Sequence, residues 1–324
     1  MKRFLALTAA AFLAAGAWAQ AIPVIFDTDM GNDVDDALAV AMLHALESRG
    51  ECRLLGVTVT KDNPWAAVYV DLVNTFYGRG QIPVGMVKGS GVTPENSKMI
   101  QASAERRRVD GTLVYPRRLA SGAEAVEAVA LLRRLLAVAQ DGTVVIVQVG
   151  FSTYLARLLD APADVELVKR KVKLLSVMAG NFAQSKPEFN VQKDTASARK
   201  LFDQWPGEIV ASGYEIGEAM KFPAARIEKD FAWAADHPVV DAYRAYMKMP
   251  YDRQTWDLTA VLYAVRPGGG YFDLSAPGRI AADDAGRTSF RQEAAGKHRY
   301  LVLPEVLRAR TLECMVGLAS QPAK

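Results

Sequence analysis

The chain is expected to fold as one α/β domain around an open, doubly wound, mostly parallel sheet of Rossmann-like type. Three observations predict this. Short β-branched apolar runs alternate with Ala- and Leu-rich helical stretches over more than half the length. The first apolar run, residues 22–26, ends in a dense acidic turn, and open α/β sheets collect ligands at the carboxyl ends of their strands. No repeat and no linker rich in Pro and Ser divides the 324 residues, which favours one large domain, although that length would also permit two.

Residues 1–19 stand apart as an export signal: Lys2-Arg3, an apolar stretch to Ala15, and the cleavage pattern Ala17-Trp18-Ala19. Cleavage would leave a domain over residues 20–324, expected to be soluble and secreted or periplasmic, with no later apolar run long enough to span a membrane. It would also remove two basic and no acidic residues, lowering the formal charge from +3 to +1. That near balance argues against nucleic acid as a partner.

Strands are expected at residues 22–26, 52–60, 82–87, 143–149, 172–178 and 208–211, each apolar and β-rich. Helices are expected at 37–46, 64–77, 122–139, 152–159, 195–202 and 259–265. Residues 92–119 are polar, irregular and too long for an ordinary connection, so they are expected to form a mobile loop near the site. Arg106-Arg107-Arg108 and Arg117-Arg118 in that stretch read as a solvated loop, with a lid or a contact to an anionic substrate as the alternative. Cys52 and Cys314 are the only cysteines; an oxidising compartment permits a disulfide, but their spacing does not show that the two meet, and a free buried pair is the default.

The acidic turn carries the functional information. Asp27, Asp29, Asp33, Asp35 and Asp36 crowd between a strand end and a helix start, where their repulsion is costly unless protons or a cation relieve it. Hard oxygen donors without a neighbouring His or Cys favour Ca²⁺ or Mg²⁺ over zinc, and a crowded all-carboxylate site favours Ca²⁺. An EF-hand loop is excluded, because its sixth and twelfth positions, counted from Asp27, are Asn32 and Leu38 rather than Gly and Glu. An aspartyl-nucleophile phosphotransferase would need further Thr/Ser and Lys elements that are not identified. A simple capped helix start accounts for one or two aspartates, not five.

Other strand ends bring polar groups to the same rim. Residues 52–60 run into Lys61-Asp62-Asn63, 143–149 into Gly150-Phe151-Ser152, and 172–178 into Ala179-Gly180-Asn181, followed by Pro187-Glu188-Phe189-Asn190. Trp256-Asp257-Leu258 opens the last helix.

Together these motifs resemble the nucleoside hydrolase family, the inosine-uridine-preferring hydrolases and their relatives, over nearly the whole mature chain. The likeness rests on Asp27, Asp29, Gly31, Asp35, Asp36 and Ala37, then Asn63, the Met178-to-Gly180 turn, Glu188-Phe189-Asn190 with Asp194, and Asp257. It implies a single-domain Rossmann-like nucleoside hydrolase architecture and a Ca²⁺-dependent hydrolysis of the N-glycosidic bond of ribonucleosides. It implies Asp29 as metal ligand and general base, Asp36 as bidentate ligand, Asp257 as a ligand from the far helix, and Val149 as a ligand through its carbonyl. Asp35, Asn63, Glu188 and Asn190 would hold ribose hydroxyls, and Met178 would line the sugar pocket. The family also implies homodimers or homotetramers.

Such residues suit the chemistry itself. Glycosidic cleavage passes through an oxocarbenium-like sugar, which nearby carboxylates favour while a base removes the proton of the attacking water.

Two departures stand out. Asn32-Asp33-Val34 occupies a place where the shortest family form has one residue, so Asp33 is expected either to replace Asp35 on the sugar or to cap the helix. Trp256 stands where many members place a leaving-group His, and His44, His237 and His298 lie in no matching motif. Purine-specific relatives carry Trp there, implying that Trp256 stacks on a purine and serves purine salvage; a core position is the alternative. Tyr115 and Trp65 are candidates for a second aromatic face. The competing functions are a catalytically weak periplasmic sugar- or nucleoside-binding protein and a hydrolase of another N-riboside.

Overall fold

The computed structural model describes residues 20–89 and 98–322, so the proposed export signal lies outside the described residues. Strand β1 (Ile22–Thr28) leads through the acidic turn into α1 (Asp35–Ser48), followed by β2 (Cys52–Val59), α2 (Ala66–Phe76), β3 (Val84–Met86), α3 (Lys98–Glu105), β4 (Val126–Glu127) and α4 (Ala128–Val138). The winding continues through β5 (Val144–Gln148), α5 (Thr153–Leu158), α6 (Pro162–Lys171), β6 (Val172–Met178), α7 (Phe189–Lys193), α8 (Thr195–Gln204) and β7 (Ile209–Ser212). Next come α9 (Tyr214–Glu218), β8 (Lys221–Phe222), α10 (Ala224–Asp230), α11 (Pro238–Tyr246), β9 (Arg253–Gln254) and α12 (Trp256–Val265). The described chain closes with β10 (Asp273–Leu274), β11 (Gly278–Ala282), β12 (Thr288–Gln292), β13 (His298–Val302) and α13 (Glu305–Ala319).

The main sheet runs β12-β11-β13-β7-β6-β5-β1-β2-β3-β4, with β10 beside β13, while β8 and β9 form a separate pair. From β13 to β4 every pairing is parallel; β11 and β12 add an antiparallel edge. Successive residues of a strand face opposite sides, and the two cores follow that pleat. Val24, Phe26, Val145 and Val147 pack with α1, α2 and α12 on one side, whereas Ile25, Val144 and Ile146 pack with α4, α5 and α8 on the other. Helix α1 is buried over Asp35–Leu46, which explains why it is apolar nearly all round.

After β1 the chain winds outward through β2, β3 and β4, then returns to place β5 on the opposite side of β1. This reversal opens a crevice at the carboxyl ends of β1 and β5, the place where such sheets bind ligands. Asp27 pairs in register with Gln148 of β5 and Thr58 of β2, so the acidic turn leaves the sheet at that crevice.

Several sequence expectations need correction. The helix expected at 122–139 starts only at Ala128, because Glu127 is extended and accepts a hydrogen bond from Ala130 N as its cap, leaving Val126–Glu127 to pair with β3. Within 92–119, residues 98–105 form α3, which packs on α11, while 106–119 are irregular apart from a bridge between Arg107 and Leu113. Arg106, Arg107, Arg108 and Arg118 are exposed, as a solvated loop requires, and Arg106 also pairs with Asp236 and Asp241 and Arg118 with Asp71. Cys52 is buried and Cys314 only half-buried, both free. Among the described residues no helix is long and apolar enough to cross a membrane.

Two histidines are locked in the core as neutral rings. His44 stacks on Tyr77 and bonds Asn74, while His237 caps α11 by accepting from Val239 N. Burial, helped by the charge of Arg79 at His44, lowers each to about 3 from an ordinary 6.5. Because the folded value is depressed, the stability each neutral ring contributes is present above pH 6.5 and is lost as pH falls toward 3. His44→Gln should therefore shrink the wild-type-minus-variant difference in unfolding free energy by about 2 kcal/mol between pH 7 and pH 5, read from urea midpoints. The buried aspartates titrate in the opposite sense and cancel in that difference. A constant difference would contradict the assignment.

Candidate active site

The acidic turn is folded by its own small residues. Gly31 takes a φ of 113°, and Thr28 Oγ1 accepts from Met30 N at 3.0 Å while donating to Asp36 Oδ1. The turn delivers Asp35 and Asp36 to the first turn of α1, and Asp257 N, at the start of α12, donates to Asp35 Oδ2 at 3.1 Å. Two helix N-termini thus meet over the carboxylates, a favourable field for negative charge. Asp35, Asp36 and Asp257 each place an oxygen within 4.8 Å of the other two, and all three are buried.

Burial, followed by repulsion from neighbouring aspartates, holds Asp35, Asp36 and Asp257 well above the ordinary carboxylate range. Three buried hard-oxygen donors that destabilise one another when ionised fit a divalent cation, which relieves both burial and repulsion. Asp35 therefore belongs geometrically with the metal-type cluster rather than apart from it. Asp29 lies outside that trio but lines the same cavity. One of its oxygens accepts from Asn32 Nδ2, and Asn32 Oδ1 in turn accepts from the fully buried Lys61. Burial raises Asp29 to about 6 against these lowering contacts.

The cavity holds about 300 Å³ and is lined by Asp29, Asp35, Asp36, Asp257, Val149, Met178, Glu188 and Asn190 among others. Glu188 caps α7 and accepts from Gly180, Asn190 and Val191 N–H groups, yet burial lifts it to about 7. Asn190 Nδ2 donates to the Val149 carbonyl at 2.7 Å and the Met178 carbonyl at 3.2 Å, tying the ends of β5 and β6 together. Asn63 is not part of this lining; buried at the start of α2, its Oδ1 accepts from Trp65 N. Asp194 caps α8 and accepts from Thr153 instead of facing the cavity.

Gly150 is what lets β5 end against the turn. A Cβ there would lie 2.7 Å from Asp29 N and 2.3 Å from Thr60 Oγ1. Gly150→Ala is expected to cost about 1–3 kcal/mol of stability by displacing the acidic turn, measured by thermal unfolding; an unchanged midpoint would contradict this packing.

The outer wall differs most from the sequence expectation. Trp65 lies under Arg117 and Tyr115 donates to Asp241, so neither reaches the cavity. Phe189, part of the Glu188-Phe189-Asn190 motif, lines it with Trp256, and so do Tyr214, Tyr246 and Arg253, to which no local sequence pattern pointed. Trp256 Nε1 donates to the Tyr214 carbonyl at 2.9 Å, and its ring carries the Arg253 guanidinium 5.3 Å from its centroid. Asp33 does not cap α1, whose N-cap is Val34; it lines the cavity and forms a two-point ion pair with Arg253.

The cavity lies at the switch point of a parallel α/β sheet, the usual ligand site of an α/β enzyme, and its three buried aspartates could hold a metal ion. The chain belongs to the inosine-uridine preferring nucleoside hydrolase family, whose profile matches residues 24–313. It is accordingly an N-ribosyl hydrolase, in a metal-dependent family acting on N-glycosyl bonds. Solved structures share the fold: a plant nucleoside hydrolase, the PpNRh1 enzyme, at TM-score 0.69 and 19% identity over 93% of this chain and 99% of that one. An inosine-uridine preferring nucleoside hydrolase from Bacillus anthracis gives 0.67 and 18% over 92% and 99%, and a purine-preferring ribonucleoside hydrolase from Gardnerella vaginalis gives 0.68 and 18% over 92% and 98%. A comparison with curated protein sequences finds no match.

Proposed function

We propose that the chain hydrolyses ribonucleosides, preferentially purine ones, to ribose and free base with Ca²⁺ as its metal. The observation that carries this is the convergence of Asp29, Asp35, Asp36, Asp257, Glu188 and Asn190 on one cavity of about 300 Å³, the size of a small-molecule site. Asp35, Asp36 and Asp257 would hold the cation, with Asp29 and the Val149 carbonyl beside them. When bound, it would supply an anchor for ribose hydroxyls and acidify water.

Asp29 removes a proton from the attacking water as its oxygen bonds to C1′ and the C1′–N bond breaks. The Glu188 carboxylate and Asn190 Oδ1 accept from ribose hydroxyls, and the surrounding carboxylates favour the positive charge that develops on the ring. Aromatic side chains on the outer wall, Trp256 with Tyr214 and Tyr246, support a flat leaving group. A binding protein without turnover is not favoured, since the family consists of hydrolases.

Export guided by residues 1–19 and assembly as a homodimer or homotetramer belong to the same proposal. Incubation with inosine, guanosine, adenosine, uridine and nicotinamide riboside should release ribose fastest from the purine nucleosides. A calcium chelator should abolish release and added Ca²⁺ restore it. No sugar from any of the five would overturn the reading.

A further inference from the structure

We propose that Arg253, carried on the indole of Trp256, meets the departing base and selects 6-oxopurines by donating to their O6 and N7 acceptors. The inference rests on the reading that this cavity cleaves N-ribosides.

Arg253 is half-buried, lines the cavity and is clamped from two directions. Asp33 Oδ1 accepts from its Nε at 2.8 Å, and Asp33 Oδ2 accepts from Nη2. Its guanidinium lies over the rings of Tyr246 and Trp256, 5.3 Å from each centroid. A guanidinium offers five N–H groups, and Asp33 takes two along one edge. The hydrogens on Nη1 and the second hydrogen of Nη2 have no partner among the described residues. That free edge is a parallel donor pair, which matches the adjacent O6 and N7 of a 6-oxopurine; adenine presents an amino donor in place of O6.

Trp256 is built as a shelf for this group. Its Nε1 is tied to the Tyr214 carbonyl, the Tyr214 ring sits 5.5 Å away, and Gly217 packs so closely that a Cβ there would lie 2.3 Å from the indole Cδ1. Asp33 lies in the lengthened acidic turn, so the extra residues supply the clamp. As the C1′–N bond breaks, the pair moves onto the base, the Arg253 donors stabilise the resulting anion, and solvent supplies its proton while Asp29 keeps the one taken from water.

The test compares full-length wild type with Arg253→Gln, Arg253→Lys and Asp33→Asn on inosine, adenosine and 4-nitrophenyl riboside, whose leaving group needs no donor. Arg253→Gln should lower kcat/KM for inosine by about tenfold to a hundredfold. The loss should exceed that for adenosine and for the nitrophenyl riboside by about tenfold or more, and Lys should not restore it. Asp33→Asn, which loosens the clamp, should move the inosine-to-adenosine ratio the same way by less. Equal losses on all three substrates, or an unchanged ratio, would overturn the proposal. If wild type cleaves none of the three, the riboside reading itself fails and takes this proposal with it.

Discussion

Asp29→Asn is expected to lower kcat on ribonucleosides by about 10²–10⁴-fold while KM changes little. The side chain keeps its size and its contact with Asn32 but can no longer take a proton. Geometry makes the position suitable for a base: Asp29 is 4% exposed, is braced through Asn32 by the buried Lys61, and is raised to about 6 chiefly by burial. A base works best with a pKa near the operating pH, and this one lies within reach of neutrality. Initial rates over a range of inosine concentrations separate kcat from KM. A kcat within about threefold of wild type would remove Asp29 from the role.

Asp257→Asn is expected to abolish both turnover and the stabilisation of the protein by Ca²⁺. A cation bound only by the folded state adds about 3 kcal/mol at a hundredfold excess over its dissociation constant. Wild type should therefore unfold at higher denaturant with Ca²⁺ than with chelator, and the variant should not. The same change should make the cation-free protein more stable than cation-free wild type, because Asp257 is buried against Asp35 and Asp36 and one member of a repelling trio becomes neutral. Loss of function coupled to a gain in stability is a signature that simple misfolding does not produce. A full calcium shift in Asp257→Asn would place the metal elsewhere.

What the sequence disclosed, and what it withheld, follows from the range of the interactions involved. Strands such as Val172–Met178 were legible because a buried parallel strand writes its burial into consecutive apolar residues. The acidic turn was legible because its charges are adjacent. By contrast β12 and β13 mix exposed residues with a few buried ones without a period, and β11 alternates only over five residues that open on a Gly and an Arg. The 122–139 helix was read too long because Gly, Ala and Glu suit a helix, while the extended Glu127 cap is a local choice that composition does not reveal. Asn63 follows β2 in the expected motif, yet its hydrogen bond turns it to the start of α2. The Asp33–Arg253 pair joins residues 220 positions apart, and only the folded chain brings them together.

The floor of the cavity consists of the starts of α1 and α12, each buried along its body, whereas Tyr214 is 38% and Phe189 45% exposed at the rim. Interior helices packed at crystal-like density resist displacement. In the proposed reaction, charge stabilisation at C1′ would thus be preorganised and require no reorientation of dipoles. Adaptation to differently shaped leaving groups falls to the rim side chains, so variation there should alter residence time and selectivity while leaving the intrinsic chemistry of the sugar unchanged.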